Sequence, residues 1–158
     1  MTIVTYQREL LFENEVFWRV AETMWERIPR HFRHVELDEW VVMPNHVHGI
    51  IWIADVGARH STESIGGQEM PDSEIPLKKN EIVENASPLW KTPDGLIPGS
   101  LGAIVGNFKS VTARRINQIR KSPGEPVWQR TYYDHIIRDE DDLMRVRRYI
   151  LKKSNSLG

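Results

Sequence analysis

Cysteine is absent from the chain, which excludes a disulfide framework and any thiolate zinc site. Long apolar runs are absent too. No stretch reaches the length needed to cross a bilayer, and the N-terminus lacks the basic-then-apolar pattern of a secretion signal. These absences predict a soluble cytoplasmic protein with no membrane partner. Excess charge is also missing: the net charge is −1, which argues against a generally basic nucleic-acid binder.

What is present is an uneven distribution of that charge. Residues 1–54 carry 5 basic and 8 acidic side chains, residues 55–100 carry 4 and 8, and residues 101–158 carry 12 and 6. A basic last third on an otherwise acidic chain can form a phosphate-binding face. A solvated helix surface is the plainer alternative. With 158 residues and 40% hydrophobic content, the chain suits one globular domain with a real core.

Periodicity orders the elements. Thr2 to Tyr6 reads as a short strand. Asn14 caps a helix carrying Val16, Phe17, Val20, Ala21, Met24, Trp25 and Ile28 at helical spacing, with Pro29 marking its end. His34 to Met43 and His46 to Ile53 read as two strands around a Pro44-Asn45 turn. Residues 55–99 lose all periodicity and are punctuated by glycine and proline, so they read as a long irregular insertion, in part disordered. Ser100 opens a second helix with Leu101, Ile104, Val105, Phe108, Ile116 and Ile119 on its apolar face. Val127 to Ile137 reads as a strand, and Glu140 to Lys153 as a last helix with acids first and lysines last, which complements its dipole. The expectation is an α+β protein: a ferredoxin-like antiparallel sheet in the order βαββαβ, with an appended C-terminal helix.

The densest chemistry lies in Met43-Pro44-Asn45-His46-Val47-His48. In a strand, His46 and His48 point to the same face. Their backbones are about 6.6 Å apart, so both imidazoles can converge on one ion. Six histidines in 158 residues produce about 0.2 such pairs by chance, so the motif needs support from elsewhere in the chain. A strand end with two half-exposed histidines is the plain reading. In the last helix, Leu143, Val146, Ile150 and Leu151 define one face. Tyr149 lies away from its centre, near Asp142, Arg145 and Lys153, free to act as a nucleophile or simply to wet its hydroxyl at a boundary. Arg147 falls inside the apolar stripe, explained at this level only by snorkelling. The tryptophans read as core, except Trp90 in the insertion, a candidate for base stacking. His135 and Gln129 read as ordinary polar strand residues.

Four segments together resemble one family: Met43 to His48, then Leu101-Gly102-Ala103-Ile104-Val105-Gly106-Asn107-Phe108-Lys109-Ser110, then Trp128 to Arg138, then Arg148-Tyr149-Ile150. They are similar to the single-tyrosine HUH (His-hydrophobic-His) transposases of small insertion sequences, most closely their REP-associated branch. The resemblance implies a nuclease and strand transferase acting on single-stranded or hairpin DNA, cytoplasmic and nucleoid-associated. His46 and His48 then hold a divalent metal, Mg or Mn. Tyr149 is the nucleophile that leaves a 5′-phosphotyrosine. Lys109, Arg114, Arg115, Arg130, Arg145, Arg148 and Lys153 are the nucleic-acid-binding candidates. The family's relatives include monomers and dimers that exchange the tyrosine helix, so a homodimer is one expected form. The family places an amide four residues after the tyrosine, completing the metal site. This chain has Lys153 there, and a charged lysine has no lone pair to donate.

The residue types suit that chemistry. A metal ion neutralises a phosphodiester and stabilises the leaving oxygen. Free tyrosine has a pKa near 10, so only about 0.1% is ionised at neutral pH and a positive field must assist it. Two other readings remain open. One is a non-catalytic DNA- or RNA-binding ferredoxin-like domain. The other is a metal-dependent hydrolase that uses an activated water in place of Tyr149.

Overall fold

The computed structural model describes residues 1–54 and 99–155. The insertion read at 55–99, apart from Gly99, lies outside the described residues, and Trp90 with it. Strand β1 is Thr2–Val4, β2 is Val35–Met43 and β3 is His46–Ile53. They form one antiparallel sheet in the order β1-β3-β2. Helix α1 spans Glu15–Glu26, α2 Ile28–His31, α3 Leu101–Ile119 and α4 Glu140–Ser154. The described residues are thus mixed, with a three-stranded antiparallel sheet and a C-terminal helix.

The caps sit where the side chains can supply them. Asn14 accepts from the amides of Val16 and Phe17, Ser100 from Ala103, and Asp139 from Asp142. Each satisfies an orphan donor of a first helical turn. Pro29 does not end the first helix as expected. It sits in the first turn of α2, after Ile28, where the missing amide hydrogen has no intrahelical acceptor to lose.

Strand alternation separates two faces. The register aligns Ile3, Val47 and Val42 in one row, and Thr2, His48 and Val41 in the next. The first row points into a core with Val20, Met24 and Trp25 of α1 and Ile104, Phe108 and Ile116 of α3. On the opposite face Val41 and Ile50 pack against Leu143 and Ile150 of α4. The sheet is therefore sandwiched, and the histidines share the α4 face. Gly49 lies between them and Ile50 because the Trp25 indole rests on the strand backbone. A side chain at Gly49 would overlap that indole.

The strand expected over Val127 to Ile137 is not a regular one. Thr5 pairs with Trp128 and Thr2 with Tyr133 in isolated bridges. Three residue steps on β1 thus face five on the other segment, and the excess bulges outward. Lys109 fills the bulge. Its ammonium donates to the carbonyls of Gln129, Arg130 and Thr131 at 2.9, 3.2 and 2.9 Å. A single cation with three donors replaces the missing ladder bonds.

The Arg147 side chain, unexplained by periodicity, crosses to the sheet. It donates to both Asp38 oxygens of β2, at 2.9 and 2.6 Å. The Trp52 indole donates to the same carboxylate at 2.8 Å. Trp52 is therefore a 44% exposed anchor and not a core residue.

Candidate active site

His46 and His48 open β3, beside the turn that begins the strand. Their ring centroids are 5.5 Å apart and nearly perpendicular. Two imidazoles bound to one ion at about 2.1 Å, with a roughly tetrahedral angle between them, have centres about that far apart. Each ring is oriented through Nδ1. His46 Nδ1 donates to the Asn45 side-chain oxygen at 2.7 Å. His48 Nδ1 meets the Thr2 hydroxyl at 2.5 Å and the Met1 carbonyl at 3.3 Å. Holding the proton on Nδ1 leaves Nε2 with its lone pair, the arrangement that metal-binding histidines use.

Burial, aided by neighbouring positive charge, favours the neutral form of both rings. Burial lowers the His46 pKa, and the charges of Lys153 and Arg8 lower it further. Burial drives His48 down to about 4, with the neighbouring His46 and the N-terminal ammonium adding to the effect. Neutral imidazole is the ligating form. Among the described residues no group of three or more His, Asp or Glu side chains is placed to share a metal ion. A cation here would have two protein ligands and take its remaining ones from substrate and water.

Tyr149 of α4 reaches the same place. Its ring lies 5.2 Å from that of His48, centroid to centroid, at 70°. The side chain is 48% exposed. Its neighbour Ile150 is buried against the sheet, and this fixes the helix rotation that brings the phenol over β3. The Lys153 ammonium, one turn later, is 5.7 Å from the centre of the Tyr149 ring.

A surface groove of about 430 Å³ runs from this point. His48, Tyr149, Tyr133, His135, Asp142 and Arg145 line it. Asp142 holds two of them, accepting from His135 at 2.7 Å and from Arg145 at 2.5 Å. His135 is thus tied to the first turn of α4 and is more than a polar strand residue.

The basic candidates divide. Arg145, Arg148 and Lys153 share α4 with Tyr149. Arg114 and Arg115 lie on α3, which packs against the other face of the sheet. Arg114 lines a separate groove with Gln118 and Lys121. Arg130 is exposed on the bulge. Lys109 is half-buried, its three donors occupied by carbonyls, and burial lowers its pKa.

Arg8 was not singled out from the sequence. Gln7 and Arg8 both have left-handed backbone, at φ 51° and 59°. Such a conformation costs a non-glycine residue about 1–3 kcal/mol. No sequence pattern marks it, because neither glycine nor asparagine is present to announce the turn.

An uncharacterized protein of Haemophilus influenzae is 36% identical over 129 residues, covering 80% of this chain and 58% of that relative. The chain therefore spans less than two thirds of the relative's length. No family model matches the chain, and no solved structure matches it. No helix among the described residues is long and apolar enough to cross a membrane.

Proposed function

We propose that this chain is a metal-dependent DNA strand transferase of the single-tyrosine HUH type. It would act on single-stranded or hairpin DNA, as in the transposases of small insertion sequences that its motifs resemble. One observation carries the reading: Tyr149, near the C-terminal end, stands against His48 in the same chain. The plain reading of a boundary tyrosine and two strand-end histidines does not account for that convergence. It also favours a site assembled in cis, with no second copy needed to supply the phenol.

The sheet supports a ferredoxin-like frame. If the irregular segment beside β1 is counted as a fourth strand, the spatial order is fourth-β1-β3-β2, as the split βαβ pattern requires. Helices α1 and α3 cover one face, and α4 is the appended element on the other.

In the proposed step the Tyr149 oxygen forms a bond to phosphorus as the bond from phosphorus to the 3′-oxygen breaks. The phenol loses its proton, and the departing oxygen leaves as a free 3′-hydroxyl after gaining one. A 5′-phosphotyrosine remains and conserves the phosphodiester energy. Mg or Mn held by His46 and His48 would neutralise the phosphate and stabilise the leaving oxygen. Asn45 and Thr2 orient those imidazoles. Lys153 supplies positive charge beside the phenol ring.

A second reading is a nucleic-acid-binding domain without chemistry. The ammonium of Lys153, where the family carries an amide, favours it. One experiment separates the readings. Labelled hairpin DNA is incubated with the protein and Mn, then denatured. The expected result is a covalent adduct that disappears in Tyr149→Phe and in His46→Ala. Salt-sensitive binding with no adduct, unchanged in both variants, supports the second reading. Cleavage that persists in Tyr149→Phe supports a water-using hydrolase.

A further inference from the structure

The row of residues that carries His48 extends beyond the regular sheet. Tyr133 and Thr2 exchange both backbone hydrogen bonds, at 2.7 and 2.9 Å, as directly opposed residues of an antiparallel pair. Opposed residues share a face. Thr2 pairs in turn with His48, and His48 with Val41. Tyr133 therefore stands on the α4 face, two strand spacings from His48, or about 10 Å between backbones. Its neighbour Tyr132 shows the alternation. That ring turns to the opposite face, where it packs against the core of α1 and α3, with the Lys109 ammonium 5.7 Å from its centre. Tyr133 is left 61% exposed. Among the described residues its ring meets no other aromatic ring and its hydroxyl makes no hydrogen bond.

We infer that Tyr133 and Asp134 form a nucleobase subsite beside Tyr149: the Tyr133 ring stacks on an unpaired base close to the scissile phosphate, and the Asp134 carboxylate accepts a hydrogen bond from that base's amino group. The inference deepens the proposed function and rests on its substrate, single-stranded DNA, but not on its chemistry. Tyr133 and Asp134 line the same groove as His48 and Tyr149, so a strand held at the histidines passes the exposed ring. Asp134 also borders an adjoining cavity of about 800 Å³, where Ile136 is 74% exposed. Charge decides which part of a nucleotide fits there. Asp134, Asp139, Asp141 and Asp142 line that cavity against Arg138 and Arg145. The excess of carboxylates repels a phosphate and leaves the uncharged base as the fitting group. An exposed ring offers stacking to any base. The carboxylates are not equivalent. Asp142 is occupied by His135 and Arg145, and Asp139 by the amide of Asp142. Asp134 makes no hydrogen bond or ion pair among the described residues. An ionised carboxylate only accepts. It therefore selects adenine, cytosine or guanine, which carry amino groups, over thymine, which has none.

The test measures binding by the wild-type chain in EDTA, so that no strand is cut. Hairpin DNA with single-stranded flanks carries the fluorescent base 2-aminopurine at one flank position at a time. Stacking quenches this base, so the scan should find a flank position whose emission falls when the protein binds. The quench should survive in Tyr133→Phe and vanish in Tyr133→Ala and Tyr133→Leu, with binding weakened by about tenfold in the last two. Because the side chain is exposed, the thermal midpoints of all three variants should match wild type. With ordinary bases at the quenched position, adenine, cytosine or guanine should bind better than thymine by about fivefold or more. Asp134→Asn, whose amide both donates and accepts, should reduce that preference to about twofold or less. Quenching that persists in Tyr133→Ala, or that appears at no position of bound DNA, overturns the inference. A preference against thymine that is absent, or unchanged in Asp134→Asn, overturns the part given to the carboxylate. Failure of the wild-type chain to bind this DNA overturns the subsite together with the proposed substrate. A missing covalent adduct in Mn, with the position-specific quench intact, defeats only the strand-transfer chemistry.

Discussion

Arg147 on α4 grips Asp38 on β2 through two hydrogen bonds, at 2.6 and 2.9 Å. Together with the buried Ile150 and Leu143, this pair fixes the rotation of α4 about its own axis. That rotation decides whether Tyr149 faces His48 or solvent.

Loss of the grip should therefore be felt at the phenol. Arg147→Ala leaves the Asp38 carboxylate, about nine-tenths buried, without its main partner. A small displacement of a reacting group can cost up to about 100-fold in rate. Adduct formation should fall by at least tenfold, while DNA binding changes far less. Arg147→Lys, with one donor direction in place of a fork, should fall between. Adduct yield equal to wild type in Arg147→Ala shows that the pair does not position the tyrosine.

The same carboxylate predicts a pH dependence. The Arg147 hydrogen bonds hold the Asp38 pKa down to about 2, against a burial cost and with help from the Trp52 indole and the Glu39 amide. A depressed carboxylate pKa means that the unfolded chain binds the proton more readily. The stabilisation is complete above about pH 4 and is lost as pH falls toward about 2. Urea midpoints followed across that range should drop more steeply for wild type than for Asp38→Asn. Parallel curves would show that Asp38 titrates alike in both states.

Lys153 should set the metal affinity. A cation with only two neutral protein ligands gains little to offset the repulsion of a nearby ammonium. Binding of Mn to the free protein should be weak and should strengthen when DNA supplies phosphate oxygens, with the reciprocal effect of Mn on DNA. Lys153→Gln removes the charge and adds an amide oxygen. It should tighten Mn binding by about tenfold, or 1.4 kcal/mol, as read by calorimetry. An unchanged Mn affinity in Lys153→Gln places the lysine outside the cradle's influence.

Lys109 and Arg148 should separate stability from binding. Lys109→Met strips the donor from three carbonyls in the bulge, and leaving such groups unpaired should cost about 1–3 kcal/mol of stability. Its DNA salt slope should stay near that of wild type. Arg148→Gln, an exposed change beside Tyr149, should do the reverse. Denaturation midpoints and salt-dependent binding on both variants check this, and a large slope change in Lys109→Met would give that side chain to the DNA instead.

Gly49→Ala tests why the residue after His48 has no side chain. The added methyl would overlap the Trp25 indole and come within 3.0 Å of the Trp40 Cβ. Overpacking of this kind costs about 1–3 kcal/mol, measurable as a lower urea midpoint. Trp25→Leu, by opening space over the strand, should make the alanine less costly than it is in wild type.

Local rules were enough for much of this molecule. Strand alternation by itself put His46 and His48 on one face. Asn14 and Ser100 announced two helix starts, and the order of elements followed from where the period changes between two and 3.6 residues. These features depend on neighbours within one element, which a single sequence displays. Other features depend on contacts between elements. The basic last third looked like one phosphate-binding face, yet α3 and α4 lie on opposite faces of the sheet, and Lys109 turns inward to a bulge. The bulge arises because β1 and its neighbour have unequal lengths between bridges, which no propensity records. Arg147 was unintelligible until Asp38 was seen across from it. The approach of Tyr149 to His48 belongs to this second class: periodicity left the phenol outside the apolar stripe, and only the burial of Ile150 against Val41 and Ile50 told which surface lay beneath it.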